Sequence, residues 1–254
     1  MTHGKPLVLT DIDDTLFQNI LKVPEAMRPQ ALEIVKDTGD RVSVMTPRQA
    51  AFFAWIRNTC DIVPVTARGL EAFRKINLSF GAGWKVVANG AVVIAPDGDP
   101  DPEWSEIISG ELASHSVHLE DVFRQTVEHL RMRGVDDESF HIRRYREHGH
   151  DHCVLLSFAV DAIGSAELVG ERIGLFNERV HVHYNAGVLA LTARPVSKKR
   201  AVEFVLSKIG DLDRRPVLAF GDSLSDLPFM SLGDFICAPA GSQVSGRFLA
   251  GTAA

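Results

Sequence analysis

The sequence predicts an α/β fold in which a parallel-sheet core is interrupted by an inserted α+β unit carrying an antiparallel sheet, in the order αββαββ. Three observations predict it. Short apolar runs, Leu7-Val8-Leu9-Thr10, Ile62-Val63-Pro64-Val65 and Val217-Leu218-Ala219-Phe220, read as strands buried on both faces, and strand–helix alternation around them implies parallel pairing. Between about residues 96 and 190 the rhythm changes to helix–strand–strand, used twice, which indicates an antiparallel sheet with helices on one face. The chain then returns to helix and apolar strand, so residues 1–95 and 191–254 are expected to form the core and 96–190 the insertion.

Each element follows from local signals. After the first strand, residues 31–45 alternate on both sides of Asp37-Thr38-Gly39-Asp40 and read as a β-hairpin. A helix from Pro29 to Lys36 competes with it, because Ala-Leu-Glu-Ile-Val-Lys is also helix-compatible. Thr46-Pro47-Arg48-Gln49 is a helix start with cap, first-turn Pro and capping box. That helix carries Phe53, Trp55 and Ile56. A second helix near Leu70–Ile76 and a third apolar strand, Trp84 to Ala88, continue the alternation. Asp97-Gly-Asp-Pro-Asp-Pro102 is a turn-rich linker. The insertion then reads as helix Val117–Arg133, strands Ser139–Arg146 and His152–Val160, helix Ser165–Phe176, and strands Arg179–Tyr184 and Gly187–Thr192. A helix from Ser197 to Lys208 and the strand Val217–Phe220 return to the core. From Gly241 onward the tail is rich in Gly, Ser and Ala and reads as loose.

Bulk properties exclude several function classes. The chain has 254 residues, enough for a large core and a second subdomain. With 45% apolar and 24% charged residues it has the composition of a globular protein. A net charge of −6 argues against general nucleic-acid binding. No apolar run reaches membrane-spanning length, and Met1-Thr-His-Gly-Lys5 lacks the apolar segment of a signal peptide. Cys60, Cys153 and Cys237 are widely spaced and form no metal pattern, which fits a reducing, cytoplasmic setting. No obligate protein partner is evident.

The chemistry gathers at strand ends. Asp11 and Asp13 close the first strand, where open α/β sheets bind ligands. Two carboxylates there need a cation or a catalytic role to offset their repulsion. Attack of Asp11 on phosphorus, with Asp13 moving the proton, is such a role. Thr66 and Arg68 end the second strand, Lys198 opens a helix, and Gly221-Asp222-Ser-Leu-Ser225-Asp226 follows a further strand. A pentavalent phosphoryl group needs cationic and hydrogen-bonding donors, which Thr66, Lys198 and the helix start at Ser197 would supply. Asp11 and a phosphate ester are both anionic, so Mg²⁺ is the expected cofactor. Asp11, the Asp13 carbonyl and Asp222 are its expected ligands, with Asp226 orienting a water on the ion.

Together these motifs resemble the haloacid dehalogenase superfamily of Mg²⁺-dependent phosphohydrolases. Within it the chain is most similar to the branch of sucrose-phosphate, trehalose-phosphate, mannosyl-phosphoglycerate and Cof-type phosphatases. All four motifs stand in order: Asp11-Ile-Asp13-Asp14-Thr15-Leu16, Thr66, Lys198 and Gly221-Asp222-x-x-x-Asp226. Asn89-Gly90-Ala91 also looks like that branch and marks Asn89 as a substrate-side residue. Ala67, Lys199 and Ser225 depart from it, standing where relatives often have Gly, Gly and Asn. The resemblance implies a Rossmann-like core, a cap in the 96–190 insertion, and a flap in the hairpin after the nucleophile strand.

The substrate expected is a small phosphorylated metabolite, of the sugar-phosphate class, hydrolysed through an aspartyl-phosphate. Candidate contacts are Arg68, whose position the strand end fixes, with Arg144, Arg146 and His183 in the insertion. Alternation sets Arg144 and Arg146 on one face and Arg143 on the other, while His181 and His183 share a face. A solvated sheet face is the competing reading of all of them. Glu147-His148-Gly-His150-Asp151-His152 reads as a polar hairpin tip rather than a zinc site, which needs ligands from more than one element. The alternatives for function are a sugar phosphomutase on the same fold and a phospho-acceptor signalling protein. Asp11-Ile-Asp13 and the long insertion argue against the latter.

Overall fold

A computed structural model describes residues 4–36, 42–176, 178–185 and 187–250. Its elements, in chain order, begin with β1 (Leu7–Thr10), β2 (Gln18–Asn19), β3 (Leu32–Lys36), β4 (Val42–Met45), α1 (Pro47–Thr59), β5 (Asp61–Pro64) and α2 (Leu70–Arg74). Next come β6 (Lys85–Val87), β7 (Val92–Ile94), α3 (Pro102–Met132), β8 (Phe140–Glu147), β9 (His150–Phe158), α4 (Ile163–Phe176), β10 (Val180–Asn185) and β11 (Val188–Ala193). The chain closes with α5 (Lys198–Lys208), β12 (Val217–Phe220), α6 (Leu227–Met230), β13 (Phe235–Cys237) and α7 (Gln243–Ala250). Two compact units result, Met1–Asp101 with Lys198–Ala254, and Pro102–Ser197.

In the first unit β13, β12, β1 and β5 form a parallel sheet in that order. Leu7, Val8 and Leu9 are wholly buried at its centre, as expected of a strand covered on both faces. The sequence beyond β5 extends the parallel pairing by one bridge, Val65 to Val86, before β6 turns back on β7. Strands β3 and β4 pair antiparallel, with β2 on the far side of β4, so the segment reads as the hairpin and not as the competing helix. The expected turn, Asp37 to Asp40, lies outside the described residues. Helix α1 starts on the predicted box: Thr46 Oγ1 accepts from the Gln49 N–H at 3.4 Å, and the Gln49 amide oxygen accepts from the Thr46 N–H at 2.9 Å.

The second unit has the αββαββ order, with an antiparallel sheet β10-β11-β9-β8. Helix α3 begins at Pro102, well before the expected Val117. Trp104, Ile108, Leu112, Leu119 and Val122 are buried at intervals of three, four and seven, one continuous helical stripe. The polar run Ser114-His-Ser116 hides this stripe in the sequence, since its hydroxyls turn back onto helix carbonyls such as Glu111 and Ala113. At the other terminus the tail is not loose as far as Ala250: α7 starts after Ser242, whose Oγ accepts the Ser245 N–H at 3.1 Å, and Val244 is fully buried. No described helix is long and apolar enough to cross a membrane.

Candidate active site

Strand ends bring the acids together. Asp11 follows β1 and is fixed by its N–H donating to the Phe220 carbonyl of β12 at 2.9 Å. Asp222 follows β12, and Asp226 sits on the turn that opens α6. Gly221 is required just before Asp222: a Cβ there would lie 2.6 Å from Asp226 Cβ and 2.7 Å from Met230 Sδ. Lys198, at the start of α5, donates from Nζ to Asp11 Oδ1 and to Asp226 Oδ1, both at 2.7 Å. The Ser223 N–H and hydroxyl both donate to Asp226 Oδ2, at 3.0 and 3.1 Å. Thr15 Oγ1 lies 3.4 Å from both Asp11 Oδ2 and Asp222 Oδ1. Neither Thr15 nor Ser223 was singled out from the sequence, although Thr15 stands in the first motif, four residues after Asp11.

Burial governs the electrostatics. Asp11 is raised well above the usual carboxylate range, first by desolvation and then by Asp226, with Lys198 opposing. Asp222 is pushed up to about 6 by burial, helped by Asp226 and Asp14. Desolvation works against the Lys198 charge, but Asp11 and Asp226 outweigh it and hold its pKa above the ordinary lysine value. One cation thus faces three acids.

That imbalance suits a further hard cation. Asp11, Asp222 and Asp226 each offer an oxygen within 4.8 Å of the others, the only such group among the described residues. Carboxylate oxygens are the donors Mg²⁺ selects. The donor set fits such an ion, and these three carboxylates are the groups that could hold it.

Asp13 stands apart from this trio. Arg68 Nε donates to Asp13 Oδ2 at 2.8 Å and Nη2 to Oδ1 at 2.7 Å, a bidentate pair. Arg68 Nη2 also reaches Ser43 Oγ at 3.2 Å. Arg68, expected from the sequence to meet substrate, here engages the candidate acid–base residue and the hairpin. Thr66 is buried, its Oγ1 accepting the Arg68 N–H at 3.0 Å, which leaves the hydroxyl proton to donate elsewhere. Asn89 occupies a left-handed turn with φ 57°, its N–H donating to the Thr66 carbonyl at 2.9 Å. The turn therefore packs the Asn89 backbone against the strand end that carries Thr66.

The other candidate contacts lie in the second unit. Register pairs Arg144 with Val154 and Ile142 with Leu156, the face that α3 and α4 cover. Arg144 pairs with Glu120 of α3 at 2.7 Å and with Asp151 at 3.1 Å, and it lies over the Phe123 ring. Arg146 binds Asp151 at 2.9 Å. Arg143, His181 and His183 occupy the opposite face, so Arg144 and His183 do not share a face. Arg144 and Arg146 stay together, as alternation on β8 expects, and strict alternation fails instead on β9. A bulge between Tyr145 and Arg146 leaves His152 as an extra residue on β9, and Arg144 and Arg146 meet through Asp151. The Glu147–His152 stretch is a hairpin tip turning at His148 and Gly149, both with positive φ.

Among solved structures the chain is similar to a trehalose-6-phosphate phosphatase related protein, at 18% identity over 93% of this chain and 88% of that one, with TM-score 0.50. It is also similar to the C-terminal domain of trehalose-6-phosphate phosphatase from C. albicans, at 14% identity, 90% and 74% coverage and TM-score 0.53. A third is the sucrose-phosphatase from Synechocystis sp., solved with sucrose and phosphate, at 12% identity, 97% and 96% coverage and TM-score 0.53. No family model and no curated protein matches the chain. At these identities the likeness is one of fold: the chain shares with these structures a parallel-sheet α/β core and a large α+β insertion.

Proposed function

We propose that this chain is a Mg²⁺-dependent phosphoric monoester hydrolase of the cytoplasm that acts on a small sugar phosphate or related metabolite. The observation that carries the reading is Lys198 held at 2.7 Å between Asp11 and Asp226, with Asp222 in the same carboxylate cluster. The names of the similar structures support the substrate class, since trehalose and sucrose phosphatases act on sugar phosphates. Free cysteines at Cys60, Cys153 and Cys237 accord with a reducing compartment.

In this reading an Asp11 carboxylate oxygen bonds to phosphorus as the ester P–O bond breaks, and Asp13 gives its proton to the departing alkoxide. Asp13, now a carboxylate, takes a proton from water; that oxygen bonds to phosphorus and the Asp11–phosphorus bond breaks, releasing phosphate. Lys198 and the Thr66 hydroxyl hold the phosphoryl oxygens through both steps. Asp11, Asp222 and Asp226, with the Asp13 carbonyl, would hold Mg²⁺, which would supply the charge neutralisation that lets one anion approach another. Substrate discrimination falls to the insertion, which contains none of these residues.

The test is phosphate release from a panel of phosphate esters, with Mg²⁺ and after dialysis against EDTA. Turnover is expected only with the metal. Asp11→Asn, close to isosteric, should keep the wild-type circular dichroism spectrum and lose at least about a thousandfold in kcat. A variant retaining a tenth of the rate, or full activity without metal, would contradict the proposal.

A further inference from the structure

We propose that Arg68 is a positioning residue for Asp13 and that, through Ser43, it ties the acid–base group to the β3–β4 hairpin. This rests on the phosphatase reading above. Asp13 follows a strand end with nearly half its side chain, 45%, exposed, so sterics alone do not select its rotamer. The Arg68 fork does. Its Nε and Nη2 meet one carboxylate oxygen each, at 2.8 and 2.7 Å, which fixes both the direction and the plane of the group. Each oxygen keeps a second lone-pair direction, so the pairing orients Asp13 without occupying the site of proton transfer.

The fork is itself anchored. The Arg68 N–H donates to Thr66 Oγ1 at 3.0 Å, its carbonyl accepts the Ala88 N–H at 2.6 Å, and the guanidinium lies 5.3 Å from the Phe17 ring centroid. A further contact, Ser43 Oγ at 3.2 Å, belongs to β4, where Ser43 is in register with Asn19 of β2. The hairpin therefore grips the same guanidinium that orients Asp13. An arginine meant for substrate phosphate would present this fork to the ligand; here a phosphate would have to compete with Asp13 for it.

Proton donation to a leaving group matters more as that group becomes more basic, so misplacing the acid penalises poor leaving groups selectively. The experiment compares p-nitrophenyl phosphate with phenyl phosphate, esters of similar shape and unequal leaving-group basicity. The wild type, Arg68→Ala, Arg68→Lys and Ser43→Ala are assayed with Mg²⁺, alongside inhibition by inorganic phosphate and thermal unfolding. In Arg68→Ala the ratio of kcat/KM for the nitrophenyl over the phenyl ester should rise about tenfold, because part of a general-acid effect is lost. The inhibition constant for phosphate should stay within about twofold of wild type, since the fork serves Asp13. Ser43→Ala should move the ratio in the same direction by less, and Arg68→Lys, a point charge without the fork, should lie between wild type and alanine.

Equal losses on both esters, with the ratio unchanged, overturn the inference. A raised phosphate constant at a fixed ratio also overturns it and makes Arg68 a phosphate contact. If Arg68→Ala does not stay folded at the assay temperature, Arg68→Lys and Ser43→Ala decide by the same ratio. A wild type inert toward both esters with Mg²⁺ removes the phosphatase reading and this inference together, an outcome distinct from an active wild type with an unmoved ratio.

Discussion

Lys198 meets two carboxylates at 2.7 Å with only 10% of its side chain exposed, so water cannot replace it as their counterion. Removing one partner of a buried ion pair leaves uncompensated charge, typically a loss of about 3–5 kcal/mol. Lys198→Met should therefore lower the metal-free unfolding free energy by roughly that amount near pH 8, and by less near pH 5, below the Asp222 pKa of about 6, where Asp222 can take up a proton. Urea titrations of both proteins at the two pH values measure this; equal stability throughout would show that the cluster is neutral without the lysine. Order and spacing in the sequence bring Asp11, Lys198, Asp222 and Asp226 into one expectation, because strand ends on one edge of a parallel sheet must converge. The engagement of Arg68 was not legible. Its partners Asp13 and Ser43 lie 55 and 25 positions away, and nothing in the local pattern distinguishes an arginine facing a ligand from one facing a carboxylate.

At the level of elements, strong local signals carried over and long-range ones did not. The Thr46 box starts α1 as read, and the β3–β4 hairpin follows its alternation. The early start of α3 was hidden by polar residues that satisfy themselves on the helix, and the α7 helix by a Gly- and Ser-rich start whose buried anchor is Val244. The β9 bulge was equally invisible, and it has a consequence for pH. His152 is 2% exposed, and neither ring nitrogen has a hydrogen-bond partner among the described residues. Burial lowers its pKa to about 4, with His148 adding and Asp151 opposing. The folded chain therefore keeps His152 neutral where the unfolded chain, titrating near 6.5, binds a proton. Stability from this group is intact above pH 6.5 or so and drains away as pH falls toward 4, by about 2 kcal/mol at pH 5. His152→Leu should hold its stability between about pH 7.5 and pH 5 better than wild type by that margin, measured by chemical unfolding monitored through Trp104 of the same unit. Parallel pH profiles would mean that water or rearrangement already satisfies the imidazole.

For the whole molecule, the alternation of elements announced both a parallel and an antiparallel sheet, but strand order β13-β12-β1-β5 and β10-β11-β9-β8 depends on pairings far apart in sequence that no local pattern encodes. The same long-range closure creates the acid cluster, whose three carboxylates come from distant parts of the chain and two of which, Asp11 and Asp226, share one lysine. That makes global stability a reporter of the cluster. Asp222 has a folded pKa of about 6 against an ordinary value of 3.8, so it favours folding at low pH, and this contribution fades as pH rises through 6. Mg²⁺ should reverse the trend, since it binds the same oxygens that protons occupy and binds the folded state. In differential scanning, saturating MgCl₂ at about a hundred times its Kd should raise Tm by roughly 5–10 °C near pH 7.5 for a chain of this size. Near pH 5 the rise should be clearly smaller, because protons hold Asp222 and oppose the metal. NaCl at matched ionic strength should not reproduce it, which separates coordination from screening, and Asp222→Asn should shrink it at the higher pH. A rise of equal size at both pH values, or one that survives in Asp222→Asn, would place the ion elsewhere on the protein and leave the three carboxylates to Lys198 alone.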